Sequence, residues 1–126
     1  MDTYEYTHME DLSEEKFSDH VLAICAINAT LRTKGVLGLT GGLTDSLSEN
    51  ILGKELLSKG VKVSQGNDGV IFDVYVVLKY GTKIPTAAWD IQENVKNEVE
   101  SVTDTKVKAV NIHVQKVELQ HEQKGI

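Results

Sequence analysis

The sequence predicts an α+β fold: a mainly antiparallel sheet of three or four strands, with two longer helices packed on one face and a short connecting helix. Three observations carry this. Residues 61–65, 70–80 and 106–119 alternate apolar and polar side chains, the period of half-buried strands. Residues 19–33 and 84–102 instead space their apolar residues by threes and fours, the period of an α-helix. Between the first two strands stands Gly66-Asn67-Asp68-Gly69, rich in residues that tolerate positive φ, which predicts a hairpin.

The first helix is expected from about Asp19 to Thr33. Ser18 is placed to cap it, and Phe17 can pack on Leu22 as a hydrophobic staple. Val21, Ile24, Cys25, Asn28 and Leu31 fall on one side, the expected apolar face, with Asn28 its one polar intruder. The plain expectation for Asn28 is a satisfied core or helix-edge amide; a hydrogen bond across an interface is the sharper one. Gly35 stops the helix. Residues 35–43 form a glycine-rich connection with a short extended piece at Val36–Leu39. A short helix is expected from Leu47 to Leu52, since Ser46 and Glu49 have capping-box spacing and Gly53 can end it.

Strands Val61–Gln65 and Val70–Tyr80 make the hairpin. Pro85 stands where the first turn of a helix tolerates it. Ile84, Ala88, Ile91, Val95, Val99 and Val102 then form a narrow stripe, which places Trp89 on the flank, about 100° from its centre. A last strand runs from Lys106 to about Leu119. Residues 18–119 are expected to be a single domain, between a flexible acidic tail of residues 1–17 and a C-terminal tail of residues 120–126.

Composition narrows the class. A chain of 126 residues, 40% hydrophobic and 25% charged, is typical of a globular protein. Its sole cysteine, Cys25, cannot form an internal disulfide. The opening is acidic and polar, unlike a secretory signal, and no run approaches the ~18 apolar residues of a membrane span. A cytoplasmic protein is expected. Residues 1–20 hold seven acidic groups against Lys16, which accounts for the whole net charge of −6. No Lys/Arg stripe is visible and Arg32 is the only arginine, so nucleic-acid binding is disfavoured.

Candidate chemistry is sparse. Gly35, Gly38, Gly41 and Gly42 lack the G-K-[ST] ending of a phosphate loop and read as a structural turn. His8, His20, His113 and His121 have no metal-ligand spacing, so neither a metal nor a cofactor is expected. Cys25, among small apolar neighbours, should have a raised pKa and be inert. No G-x-S-x-G elbow occurs. No catalytic residue is assigned, and no enzymatic activity is expected.

The strands are more informative. Val70, Phe72, Val74, Val76 and Leu78 point one way; Ile71, Asp73, Tyr75, Val77 and Lys79 point the other, with Asn111, His113 and Gln115 of the last strand. Ile71, Tyr75 and Val77 are large for a bare surface. The expected interaction face is therefore Asp73, Tyr75, Val77, Lys79, Asn111, His113 and Gln115, with Trp89 as a further exposed candidate.

Four spaced pieces carry a family resemblance: Gly60-Val61-x-Val63, Tyr80-Gly81-x-x-Ile84-Pro85, Ile91-Gln92-x-x-Val95 and Val110-Asn111-Ile112-x-Val114-x-x-Val117. With Val21-Leu22-Ala23-Ile24 and Gly35-Val36 through Gly41-Gly42-Leu43 upstream, the chain over residues 18–117 resembles the alkaline shock protein family, small envelope-stress proteins found chiefly in Gram-positive bacteria. Asn28 and the acidic N-terminus depart from the family's pattern. The resemblance implies a non-enzymatic cytoplasmic protein of cell-envelope homeostasis that self-associates and acts through protein partners, some of them at the inner face of the membrane. It implies no direct membrane insertion. Two alternatives are a regulatory adaptor of a membrane-lipid synthesis enzyme and a small-ligand or RNA-binding module; the neutral body and the lack of exposed aromatic pairs disfavour RNA.

Overall fold

Strict alternation in the longest apolar stretch decides the centre of the fold. The computed structural model describes residues 18–40, 51–52 and 55–119. In order, these form helix α1 (Asp19–Leu31) and strands β1 (Val36–Leu39), β2 (Ile51–Leu52), β3 (Glu55–Ser58), β4 (Val61–Gly66) and β5 (Gly69–Lys79). Helix α2 (Ile84–Thr103) and strand β6 (Val107–Glu118) complete them. In β5, Val70, Phe72, Val74, Val76 and Leu78 are all buried, while Ile71, Asp73, Tyr75 and Val77 are half-buried on the other side.

β5 is paired along both edges. β4 and β1 lie end to end on one edge, both antiparallel to it. They meet at Tyr75, whose N–H donates to the Gly60 carbonyl (2.8 Å) and whose carbonyl accepts from the Thr40 N–H (3.0 Å). β6 runs parallel along the whole opposite edge. The β5–α2–β6 connection is a helical crossover, which brings the second strand back in the same direction. β3 and β2 extend the sheet beyond β4 by antiparallel pairing.

The α+β class, the mainly antiparallel sheet and the two helices on one face are as expected. The short connecting helix is not. Ile51–Leu52, its expected end, is strand β2, paired with Glu55–Leu56 of β3. β4 presents an edge, and β3 satisfies its backbone groups on that edge across four residue pairs. Among the described residues the sheet therefore has six strands rather than three or four. Residues 47–50 of the expected helix, its proposed cap at Ser46 and both tails lie outside the described residues. The hairpin forms as expected, yet positive φ falls on Gly69 (135°) and not on Asn67 or Asp68. A Cβ at Gly69 would lie 2.8 Å from the Lys106 carbonyl, so the parallel strand crowds this position.

α1 differs from expectation in the face it buries, whereas α2 buries the centre of its expected stripe, Ile91, Val95 and Val99, but not the ends. α1 turns Leu22 and its small residues inward: Leu22, Ala23, Cys25, Ala26 and Ala29 are buried, whereas Val21, Ile24 and Leu31 are exposed. Small side chains let the helix approach the sheet and α2 closely. In α2 the buried set is Ala87, Ile91, Val95, Val99 and Thr103, with the stripe's ends, Ile84 and Val102, exposed and Ala88 only half-buried. A run of four-residue steps drifts around a 3.6-residue helix, and contact with the sheet selects one side of it. The buried threonines Thr30, Thr33 and Thr103 each donate to the carbonyl four residues earlier (2.8, 2.9 and 2.6 Å).

α1 and α2 are joined at their surface by the Arg32–Glu98 ion pair (3.1 Å) and by Asn94, which donates to Thr33 Oγ1 (2.9 Å). Gln92 donates to the Val110 carbonyl (2.9 Å), and Glu100 accepts from the Val107 N–H (3.0 Å), so α2 also holds β6.

Two substitutions test this packing. Phe72→Ala leaves a cavity at a fully buried site and is expected to cost about 3–5 kcal/mol in denaturant unfolding. Gly60→Ala is expected to cost more than about 1 kcal/mol, because φ is +91° and the new Cβ would sit 2.8 Å from the Thr40 carbonyl.

Candidate functional site

The outer face of the sheet, opposite the helices, follows from the pairing of β5 with its neighbours. Parallel register sets Asn111 beside Asp73 and His113 beside Tyr75. On the other edge Lys62 stands beside Asp73, and Gly38 beside Val77. Asp73 Oδ1 accepts from Asn111 Nδ2 at 3.2 Å and lies 2.8 Å from His113 Nε2. The His113 ring stacks on Tyr75, with centroids 4.4 Å apart and planes 12° from parallel. Asp73 is the more enclosed member of the ion-pair geometry, with its side chain 18% exposed against 40% for His113.

The cluster has a definite chemistry. One carboxylate holds two ring or amide donors in place, and the held imidazole in turn fixes an aromatic face. Rings oriented in this way lose little conformational freedom on meeting a partner. Asp73 with His113 forms a dyad, but among the described residues neither a serine nor a cysteine is hydrogen-bonded to that imidazole. Among the described residues no group of three or more His, Cys, Asp or Glu side chains could hold a metal ion.

Of the expected face, Asp73, Tyr75, Asn111 and His113 are brought together and Val77 adjoins them on β5. Lys79 stands at the exposed end of the strand, beside Glu118. Gln115 is displaced. β6 bulges there, so Val114 pairs with Val76 and Lys116, not Gln115, comes beside Val77. Lys116 instead pairs with Glu118 at 2.8 Å, which raises its pKa through that hydrogen bond and charge. Trp89 is exposed on α2, a helix of the opposite face, and takes no part in the cluster.

A cleft away from this cluster is not visible in the sequence. A cleft of about 490 Å³ opens where α1 ends and α2 begins, lined by Lys34, Gly35, the Lys79–Lys83 loop, Thr86, Ala87 and Asp90. Its lysines come from two separate places in the chain, Lys34 and the Lys79–Lys83 loop, which no local spacing brings together. Cys25 is buried as expected, and its thiol pKa is raised by burial and then by the nearby Glu98 carboxylate. Among the described residues no helix is long and apolar enough to cross a membrane.

Comparison with known proteins gives consistent relatives. The model of the alkaline shock protein 23 family, the alkaline shock protein family, described as having a cell envelope-related function, matches residues 7–119. "Uncharacterized protein YloU" of Bacillus subtilis is 37% identical over 102 residues, covering 79% of this chain and 84% of its own. "Uncharacterized protein Spy1535" of Streptococcus pyogenes is 37% identical over 108 residues, covering 84% of this chain and 80% of its own. Among solved structures, a variant of MamM-CTD aligns with a TM-score of 0.47 at 12% identity, over 79% of this chain and 98% of that one.

Two measurements check the site. Alkylation of Cys25 is expected to be slow in the native protein and fast in denaturant, and its native rate should still be climbing with pH beyond the ordinary thiol range. Asp73→Ala removes the acceptor shared by Asn111 and His113. It should abolish the ring-current shifts between Tyr75 and His113 in NMR spectra while changing stability by less than about 1 kcal/mol, because the pair is partly exposed.

Proposed function

The chain belongs to the alkaline shock protein family, and from that membership we propose that it is a non-catalytic cytoplasmic adaptor of the envelope stress response. It works by self-association and by holding protein partners on the outer face of its sheet. The observation that carries this reading is the preset Asp73–Asn111–His113–Tyr75 cluster on the side of the sheet away from both helices.

The arrangement suits recognition. Tyr75 and His113 offer a rigid flat surface, Val77 and Ile71 add apolar area, and Asp73 supplies a charge already held by two neighbours. A partner meeting this face buries aromatic surface without first ordering it. Nearness to the inner side of the membrane is then a property of the partner rather than of this chain.

Tyr75→Lys with Val77→Lys tests the face. Both side chains are only half-buried and point away from the core, so the variant should fold. Affinity capture with the tagged variant is expected to lose the proteins recovered with the unaltered chain. Recovery of the same set at the same levels would sink the reading.

A further inference from the structure

Helix α1 is apolar on two opposite sides. Its inner side, with Leu22, Ala23, Cys25, Ala26 and Ala29, is buried in the core. Its outer side carries Val21, Ile24 and Leu31, which are 38%, 55% and 49% exposed, with Asn28 exposed between them. Apart from Leu22, the fully buried side chains of α1 are small, while three larger aliphatic ones stay outside. A helix apolar on both sides is one that is covered on both sides.

The spacing of the outer side names what covers it. Positions 21, 24, 28 and 31 step by three, four and three, the a–d–a–d pattern of a coiled-coil seam. Phe17, four residues before Val21, continues that pattern in the sequence. Asn28 then occupies a central a position. Facing hydrocarbon, its amide would be stranded at a cost of about 1–3 kcal/mol. Facing the same amide of a second copy, each side chain has a donor and an acceptor to meet, and the pair sets a single parallel register. The flanking positions are compatible: that register brings Ile27 toward Arg32 of the second copy, and Cys25, which the spacing sets opposite His20, is turned into its own core, so no two charged residues of like sign meet.

We propose that α1 is a homodimerisation helix: two copies of the chain pair α1 in parallel about a two-fold axis, with Asn28 opposite Asn28. The proposal deepens the self-association of the reading above and assigns it a surface separate from the outer sheet face. Size sets its strength. Thirteen residues make a helix about 20 Å long, a seam smaller than the ~800 Å² per partner of lasting complexes. The dimer is therefore a reversible, concentration-dependent one.

The test uses the full-length chain in sedimentation equilibrium over a wide concentration range. The weight-average mass should rise from that of the monomer toward twice that value. Ile24→Glu with Leu31→Glu, both at exposed positions, should stay monomeric with an unchanged melting temperature. Under mild oxidation Asn28→Cys should yield a disulfide-linked dimer, while Ser101→Cys, exposed at the end of α2, should not. Tyr75→Lys with Val77→Lys should dimerise normally, and the Ile24→Glu/Leu31→Glu variant should still capture partners, so either surface can fail alone. A wild-type chain that remains monomeric throughout overturns the proposal, as does an Asn28→Cys variant that forms no linked dimer. Dimerisation that appears only when Tyr4, Tyr6, Met9 and Leu12 are replaced by serine would name the acidic N-terminal segment as the occupant instead, and also overturns it.

Discussion

The described structure depends on a single strand being paired on both edges while one of its faces is sealed. β5 has β4 and β1 on one side and β6 on the other, and its five inward side chains meet α1 and α2. Backbone pairing leaves it no freedom to slide, because a shift of one residue would turn Phe72 outward and Asp73 inward. The junction at Tyr75 shows how tight this is: one residue bonds β4's leading glycine and the residue after β1. Gly60 serves there because any side chain would strike the Thr40 backbone.

The outer-face cluster is a consequence of that arrangement rather than an independent feature. Parallel pairing with β6 brings Asn111 and His113, from some forty residues further along the chain, beside Asp73 and Tyr75. Two bulges in β6, at Lys108 and Gln115, adjust its register to β5. They also make β6 a poor template for another strand, since bulges and lysines blunt an exposed edge. Growth of the sheet from that edge is therefore disfavoured, which leaves side-chain surfaces to make the molecule's contacts. The cluster itself contributes little to stability, being partly exposed. Its value lies in positioning.

Much of this was legible in the residues. Period-two alternation located β4, β5 and β6, the glycine-bounded Asn67-Asp68 turn located the hairpin, and Ser18 and Pro85 marked helix starts. The alternation also picked out Asp73, Tyr75, Asn111 and His113 as one face. Other features were hidden for identifiable reasons. Ile51–Leu52 is strand because β3 pairs with it, and capping-box spacing nearby carries no information about that edge. Gln115 left the face because a bulge is a property of a strand pair, invisible in one strand alone. The three lysines of the cleft are separated by up to forty-nine positions between Lys34 and Lys83.

α1 draws the line most sharply. The sequence by itself determined that residues 19–31 form a helix and that Val21, Ile24, Asn28 and Leu31 lie along one side of it, since helical geometry is local. It determined equally which β5 side chains share a face, since alternation is local too. Only the tertiary structure decided that the side of α1 with Leu22 and the alanines turns inward and the side with Val21, Ile24 and Leu31 outward. Periodicity ranks residues by hydrophobicity, whereas the core selects by fit: between α1, α2 and the sheet it takes Leu22, three alanines and one cysteine from α1, and leaves Val21, Ile24 and Leu31 outside.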